Sequence, residues 1–134
     1  MKKVFSVDVF RTMNIDTVDL ENCDLQKIMQ ESEAIITDYS SVFFDMVYMK
    51  KPVIFYQFDE KKFRSFHYEE GWFDYHNNSF GKWCEKPDDV AKALESAILS
   101  GFIPTTEYIE EHKKTFCYYD TDNCQRIFER LKKM

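Results

Sequence analysis

Ala34-Ile35-Ile36-Thr37-Asp38-Tyr39-Ser40-Ser41-Val42-Phe43-Phe44-Asp45 is the stretch of this 134-residue chain whose side chains could do chemistry. It reads as a short apolar strand, a polar turn, and a helix that opens on two serines. The first backbone N–H groups of a helix lack internal partners, and the macrodipole adds partial positive charge there, so this layout suits an anion. Ser40 is a good N-cap residue and Ser41 supplies a second hydroxyl. No glycine is present in the stretch, which excludes a Walker loop and a dinucleotide fingerprint. Two readings follow from the residues alone: a plain helix cap, or a phosphate cradle. Asp45 stands four residues after Ser41, on the same helix face one turn on. A bare carboxylate repels phosphate, so its role would be to accept a hydrogen bond from a ligand hydroxyl or from Ser41; the alternative is a solvated surface aspartate. Thr37 and Asp38 precede the turn, where Asp38 can bond backbone N–H groups and hold its shape.

The elements that must position these residues follow from pattern. Lys3 to Phe10 alternates weakly as a strand, and Thr17 to Leu20 is a shorter candidate. Asp24 caps a helix carrying Leu25, Ile28 and Met29. Ala34 to Thr37 reads as a buried strand and Ser41 to Met49 as a helix, closed by Lys50-Lys51 at its negative end. Pro52 opens a strand over Val53 to Tyr56. A short helix over Asp59 to Phe66, a loop over Glu69 to Ser79 and a strand over Phe80 to Glu85 follow. Pro87 begins a helix that Gly101 stops. Thr105 or Thr106 starts the next helix and Asp122 the last. Strands alternating with helices predict an α/β fold with a parallel, Rossmann-like sheet and flanking helices, over a single domain spanning residues 1–134. Ligands of such sheets lie at the carboxyl ends of the strands, which places Tyr39-Ser40-Ser41 and Gln57-Phe58-Asp59 on one crevice.

Composition narrows the function. The hydrophobic fraction is 44% and the aromatic fraction 17%, enough to build a core. The net charge of -6 argues against nucleic acid as a partner. Cys23, Cys84, Cys117 and Cys124 fit no zinc spacing and read as reduced thiols of a cytoplasmic protein, with a Cys117–Cys124 pair left open. No apolar run reaches the ~20 residues of a membrane span, and Asp8, Arg11 and Asn14 interrupt what would be a signal peptide. Asp38, Asp45 and Asp59 could together face a magnesium ion, but the lysine that accompanies such acid clusters is missing, and no metal or other cofactor is expected. His67, His76 and His112 form no triad or metal pattern and read as surface residues. Arg64 is either a phosphate ligand or a surface charge. Trp72, Phe73, Tyr75 and Phe80 read as packing.

The segment ITDYSSVFFD, followed by Lys51-Pro52-Val53-Ile54-Phe55-Tyr56 and Asp59, resembles the C-terminal domain of the CDP-glycerol glycerophosphotransferases, the teichoic-acid polymerases and primases. Phe63-Arg64-Ser65-Phe66-His67-Tyr68, Phe73-Asp74-Tyr75, Phe80-Gly81-Lys82-Trp83 and Asp122-Asn123-Cys124-Gln125-Arg126-Ile127 extend the resemblance from about Asp19 to the C-terminus. The resemblance implies part of the C-terminal domain of a GT-B type transferase. It implies that Ser40 and Ser41 contact the phosphates of CDP-glycerol and that Asp45 lies in the same donor site, with Thr37, Asp38 and Arg64 as further candidates. In that family the catalytic histidine lies upstream of the matched region, and Met1 to Ile15 contain no histidine. The expectation is therefore donor binding without independent turnover, no catalytic residue here, and a poly(glycerol phosphate) acceptor met by other parts, at the inner face of the membrane. A UDP- or other nucleotide-sugar transferase fragment remains an alternative. So does a non-catalytic interaction domain, a homo-oligomer, or one half of a split enzyme.

Overall fold

The computed structural model describes residues 16–18, 22–66 and 71–134. The expected strand at Lys3 to Phe10 lies outside them, as does part of the one at Thr17 to Leu20; Thr17 and Val18 belong to no strand. Two compact units are distinguished, residues 1–31 and 32–134. The first contains α1 (Leu25–Glu31), whose start is fixed by the Asp24 carboxylate accepting from the Lys27 N–H at 3.1 Å.

The second unit holds β1 (Ile35–Thr37), α2 (Phe43–Tyr48), β2 (Val53–Tyr56), α3 (Glu60–Phe66), β3 (Gly81–Cys84), α4 (Pro87–Leu99), α5 (Thr106–Thr115) and α6 (Asn123–Lys132). The three strands form one parallel sheet in the order β1-β2-β3, with Ile35 opposite Val53 and Val53 opposite Gly81. This is the expected α/β, Rossmann-like arrangement. β2 is central, and Val53, Ile54 and Phe55 are all buried, as a strand covered on both faces must be. Phe55 meets Phe43 of α2 edge-to-face, with ring centroids 5.0 Å apart, and α2 packs on β1 and β2. Ile54 points to the opposite face by strand alternation, and α4 is the further helix packed on β2 and β3. Phe73 and Tyr75, from the segment before β3, close over Phe43 and Phe55, and Phe80 stacks on Phe73. Trp72 packs from the loop rather than in the core. It stacks on Phe44 at 5.6 Å but stays 80% exposed.

Local chemistry sets the ends of the elements. Gly101 takes φ +65° after α4, with its N–H bonded to the Ile98 carbonyl and the Phe102 N–H to the Ala97 carbonyl, the double bond of a Schellman cap. α2 ends the same way without a glycine: Lys50 holds φ +60°, and its amino group lies 4.3 Å from the Tyr119 ring centroid. Thr105 caps α5 by accepting from the Tyr108 N–H at 3.2 Å. α5 is tied back through Tyr108, whose hydroxyl donates to the Lys51 carbonyl at 2.9 Å. His112, expected at the surface, is buried with Nε2 3.2 Å from the Tyr48 carbonyl. Its helix lays this face on the end of α2, which sequence periodicity could not disclose. β1 is less covered than its apolar sequence suggested, because it lies at the end of the described strand order and Ile36 is 47% exposed.

Candidate functional site at the carboxyl ends of the strands

Ser40 and Ser41 follow β1 after the bend at Asp38 and Tyr39, and both are exposed. The helix begins later than expected. Ser41 and Val42 form a turn, and α2 proper starts at Phe43 and ends at Tyr48. The Phe44 N–H reaches the Ser41 carbonyl and the Asp45 N–H the Val42 carbonyl, both at 3.1 Å, so the first turn is the tight i→i+3 kind. Ser40 Oγ accepts from the Val42 N–H at 3.4 Å, a weak local cap. Asp45 is exposed in the first turn of α2, and among the described residues no hydrogen bond joins its carboxylate to Ser41. Both groups are therefore open to solvent on one side of the molecule.

The turn before the serines is held by four contacts from neighbouring segments. Asp38 itself supplies local shape, its carboxylate accepting from the Tyr39 N–H at 2.6 Å. The Asp38 carbonyl accepts from Gln57 Nε2 at 2.9 Å. The Tyr39 ring stacks on Phe63 of α3 with centroids 3.6 Å apart, and its hydroxyl donates to Asp59 at 3.2 Å. Burial, and then the Asp59 carboxylate, hold the Tyr39 phenol above its ordinary pKa, so it stays a donor. The Tyr75 hydroxyl donates to the Tyr39 carbonyl at 3.4 Å. The expected meeting of the Tyr39-Ser40-Ser41 and Gln57-Phe58-Asp59 segments is thus realised through Tyr39, Asp59 and Gln57, while Phe58 turns outward, 62% exposed.

Arg64 lies on α3, 3.9 Å from Glu60 and 6.0 Å from the Tyr75 ring. It is therefore not a free surface charge. His76 is exposed, as expected, and joins this region: its Nε2 lies 2.9 Å from Glu60, and its ring packs on Trp83 at 4.2 Å. His67 and Tyr68 lie outside the described residues. Thr37 ends β1, half-buried. Among the described residues no group of His, Cys, Asp and Glu could hold a metal ion, so Asp38, Asp45 and Asp59 are not assembled as one. Cys117 and Cys124 are exposed free thiols and Cys84 a buried one.

The sequence reading placed Gln57 on the crevice without a partner, and gave Trp83, Glu60 and His76 no part in the site. Gln57 carried one signal, a polar residue directly after the apolar run of β2. The pairings across three strand ends had none. A cavity of about 970 Å³ lies elsewhere, between β3, α4 and the start of α5, and its lining includes none of the expected site residues.

Comparison with known proteins agrees with this layout. Residues 9–133 match the family described as CDP-Glycerol:Poly(glycerophosphate) glycerophosphotransferase. The chain is 30% identical over 110 residues to the minor teichoic acid biosynthesis protein GgaB of Bacillus subtilis, covering 82% of this chain and 12% of that protein. It is 28% identical over 118 residues to the teichoic acid poly(glycerol phosphate) polymerase of Bacillus spizizenii, covering 81% of this chain and 27% of that one. The chain thus spans between about an eighth and about a quarter of the length of these relatives. A solved structure of the wall teichoic acid polymerase TagF superposes with a TM-score of 0.62 at 24% identity, over 92% of this chain and 32% of that one, and so shares the fold. With the family matched over nearly its whole length, the chain belongs to the CDP-glycerol:poly(glycerophosphate) glycerophosphotransferases.

Proposed function

We propose that residues 1–134 form a single nucleotide-binding α/β domain that holds CDP-glycerol for transfer of glycerol phosphate to a poly(glycerol phosphate) chain. In this reading Ser40 and Ser41 donate to the pyrophosphate and Asp45 accepts from a ligand hydroxyl. Arg64 adds charge from α3, and Thr37 and Asp38 shape the approach. A base outside the matched region takes the proton of the acceptor hydroxyl. That oxygen then attacks the β-phosphorus, and the bond to CMP breaks. Donors placed on the pyrophosphate linkage stabilise the charge that develops on the departing CMP. One observation carries the reading: two exposed serines stand at the carboxyl end of a parallel strand, on a turn pinned from the two segments beside it.

The reading places the chain in the cytoplasm, at the inner face of the membrane when joined to its acceptor machinery. Among the described residues no helix is long and apolar enough to cross a membrane. No turnover is expected from this chain alone. Release of CMP from CDP-glycerol by the purified chain would contradict that. Binding is tested by thermal-shift titration with CDP-glycerol, CDP and UDP, on the native chain and on Ser40→Ala/Ser41→Ala. Ligand at ~100 times its dissociation constant adds about 2.7 kcal/mol. A cytidine-selective shift that the double variant loses supports the assignment. A shift with UDP-sugars alone favours a nucleotide-sugar transferase, and no shift removes the donor site.

An interaction role is favoured by a separate observation. Ile127, Phe128 and Leu131 form one exposed apolar row on α6. Sedimentation showing concentration-dependent self-association, without nucleotide binding, would support that role.

A further inference from the structure

We propose that Gln57 is a positioning residue for the Ser40-Ser41 turn and that Trp83 fixes its orientation; the functional consequence rests on the donor-site reading above. Gln57 is completely buried, in a core otherwise built largely from apolar side chains. A buried amide costs free energy unless both its halves are satisfied, and an apolar side chain of the same length would pack there without that cost. Here both halves are used. Oε1 accepts from Trp83 Nε1 at 3.1 Å, and Nε2 donates to the Asp38 carbonyl at 2.9 Å. The Gln57 N–H donates to the Cys84 carbonyl at 2.9 Å. One residue thereby joins the carboxyl ends of all three strands.

The polarity of the chain of bonds is fixed. An indole N–H can only donate, so it selects the oxygen of the amide and turns the NH₂ toward Asp38. The indole is itself held, because His76 packs on it at 4.2 Å while bonded to Glu60 at the start of α3. The Asp38 carbonyl is two residues from Ser40, so its anchoring limits where both hydroxyls can stand. A site that binds by preorganised donors needs that restraint, since a shift of about 1 Å at such a site costs up to 100-fold.

The experiment is ¹⁵N relaxation of the full chain with Gln57→Met and Trp83→Phe, paired with calorimetric titration of CDP. The expected result is a loss of order at Asp38 to Val42, from the rigid range near 0.85 to below about 0.6 in Gln57→Met, with β2 unchanged. Trp83→Phe, which keeps the ring and the fold, gives a smaller loss at the same residues. CDP affinity falls about tenfold in Gln57→Met, whereas Ser40→Ala/Ser41→Ala loses affinity with the turn still ordered. A merely structural Gln57 would lower the melting temperature and leave local order at the turn untouched. Unchanged order at Asp38 to Val42 in both variants overturns the proposal. If the native chain fails to bind CDP while the turn loosens as expected, the donor-site reading falls and the positioning role stands.

Discussion

Gly81→Ala should break the register on which the site depends. Gly81 opens β3 opposite Val53, and a methyl group built there would lie 2.1 Å from the Val53 carbonyl oxygen and 2.8 Å from its carbon. Both atoms are backbone of the central strand, so no side chain can rotate away. Real Cβ atoms essentially never come closer than 3.0 Å, which requires the strands to separate by about 0.9 Å at this point. Hydrogen bonds of ~2.9 Å do not survive such stretching, and each is worth about 0.5–1.5 kcal/mol. Adding overpacking strain of about 1–3 kcal/mol gives a total loss near 3 kcal/mol. At roughly 4 °C per kcal/mol for a chain of this size, the midpoint should fall by about 10 °C. Differential scanning calorimetry reads this directly, and Gly71→Ala is the control. Among the described residues beyond its chain neighbours, nothing lies within 4 Å of a methyl group built there, so the midpoint should hold or rise slightly. The displaced β3 would also carry Trp83 away from Gln57, so CDP affinity should fall with stability. A Gly81→Ala midpoint within about 2 °C of the native chain would refute the argument.

Three further outcomes follow from the same physical terms. Tyr108→Phe removes the hydroxyl that the Lys51 carbonyl accepts from and should cost about 1–2 kcal/mol in urea unfolding, because the carbonyl loses a partner inside the fold. Asp120 grips Arg126 through both guanidinium nitrogens, at 2.7 and 3.0 Å, and hydrogen bonds from Arg126, then from the Asp122 N–H, hold its carboxyl below the usual range. A folded pKa below the unfolded one gives stability that is present above the ordinary carboxylate pKa and lost as pH falls through the folded value. Asp120→Asn should therefore be less stable than the native chain near pH 6, and the gap should close as pH falls until the native Asp120 carboxyl is protonated in both the folded and the unfolded chain, as paired denaturation curves would show. Burial pushes the Cys84 thiol up, while Cys117 and Cys124 are exposed, so a disulfide reagent at pH 8 should label those two quickly and Cys84 only on unfolding. Equal labelling rates would contradict the packing around β3.

The family, the α/β class and most of the elements could be read from the sequence because each rests on local chemistry. Pro87, Gly101, Thr105 and Asp24 mark ends through backbone rules that need no distant partner. The run Val53 to Phe55 declares a strand buried on both faces by composition alone, and the TDYSS motif carries the resemblance in consecutive residues. Ser40 and Ser41 could be placed after β1 for the same reason. The start of α2 was set two residues too early, since the tight first turn at Ser41 and Val42 depends on hydrogen bonds that pattern does not register.

What only the tertiary structure decided are the partnerships between residues far apart in the chain. Tyr39 stacks on Phe63 and bonds Asp59, twenty residues on, because parallel strands bring the segments after β1 and β2 side by side. Gln57 meets Trp83 for the same reason across β2 and β3. His112 and His76 looked alike in the sequence and were separated by packing, one buried against the end of α2 and the other drawn to Glu60 at the strand ends. Periodicity reports which face of an element is apolar. Which polar group that face then meets is fixed only when the sheet register closes.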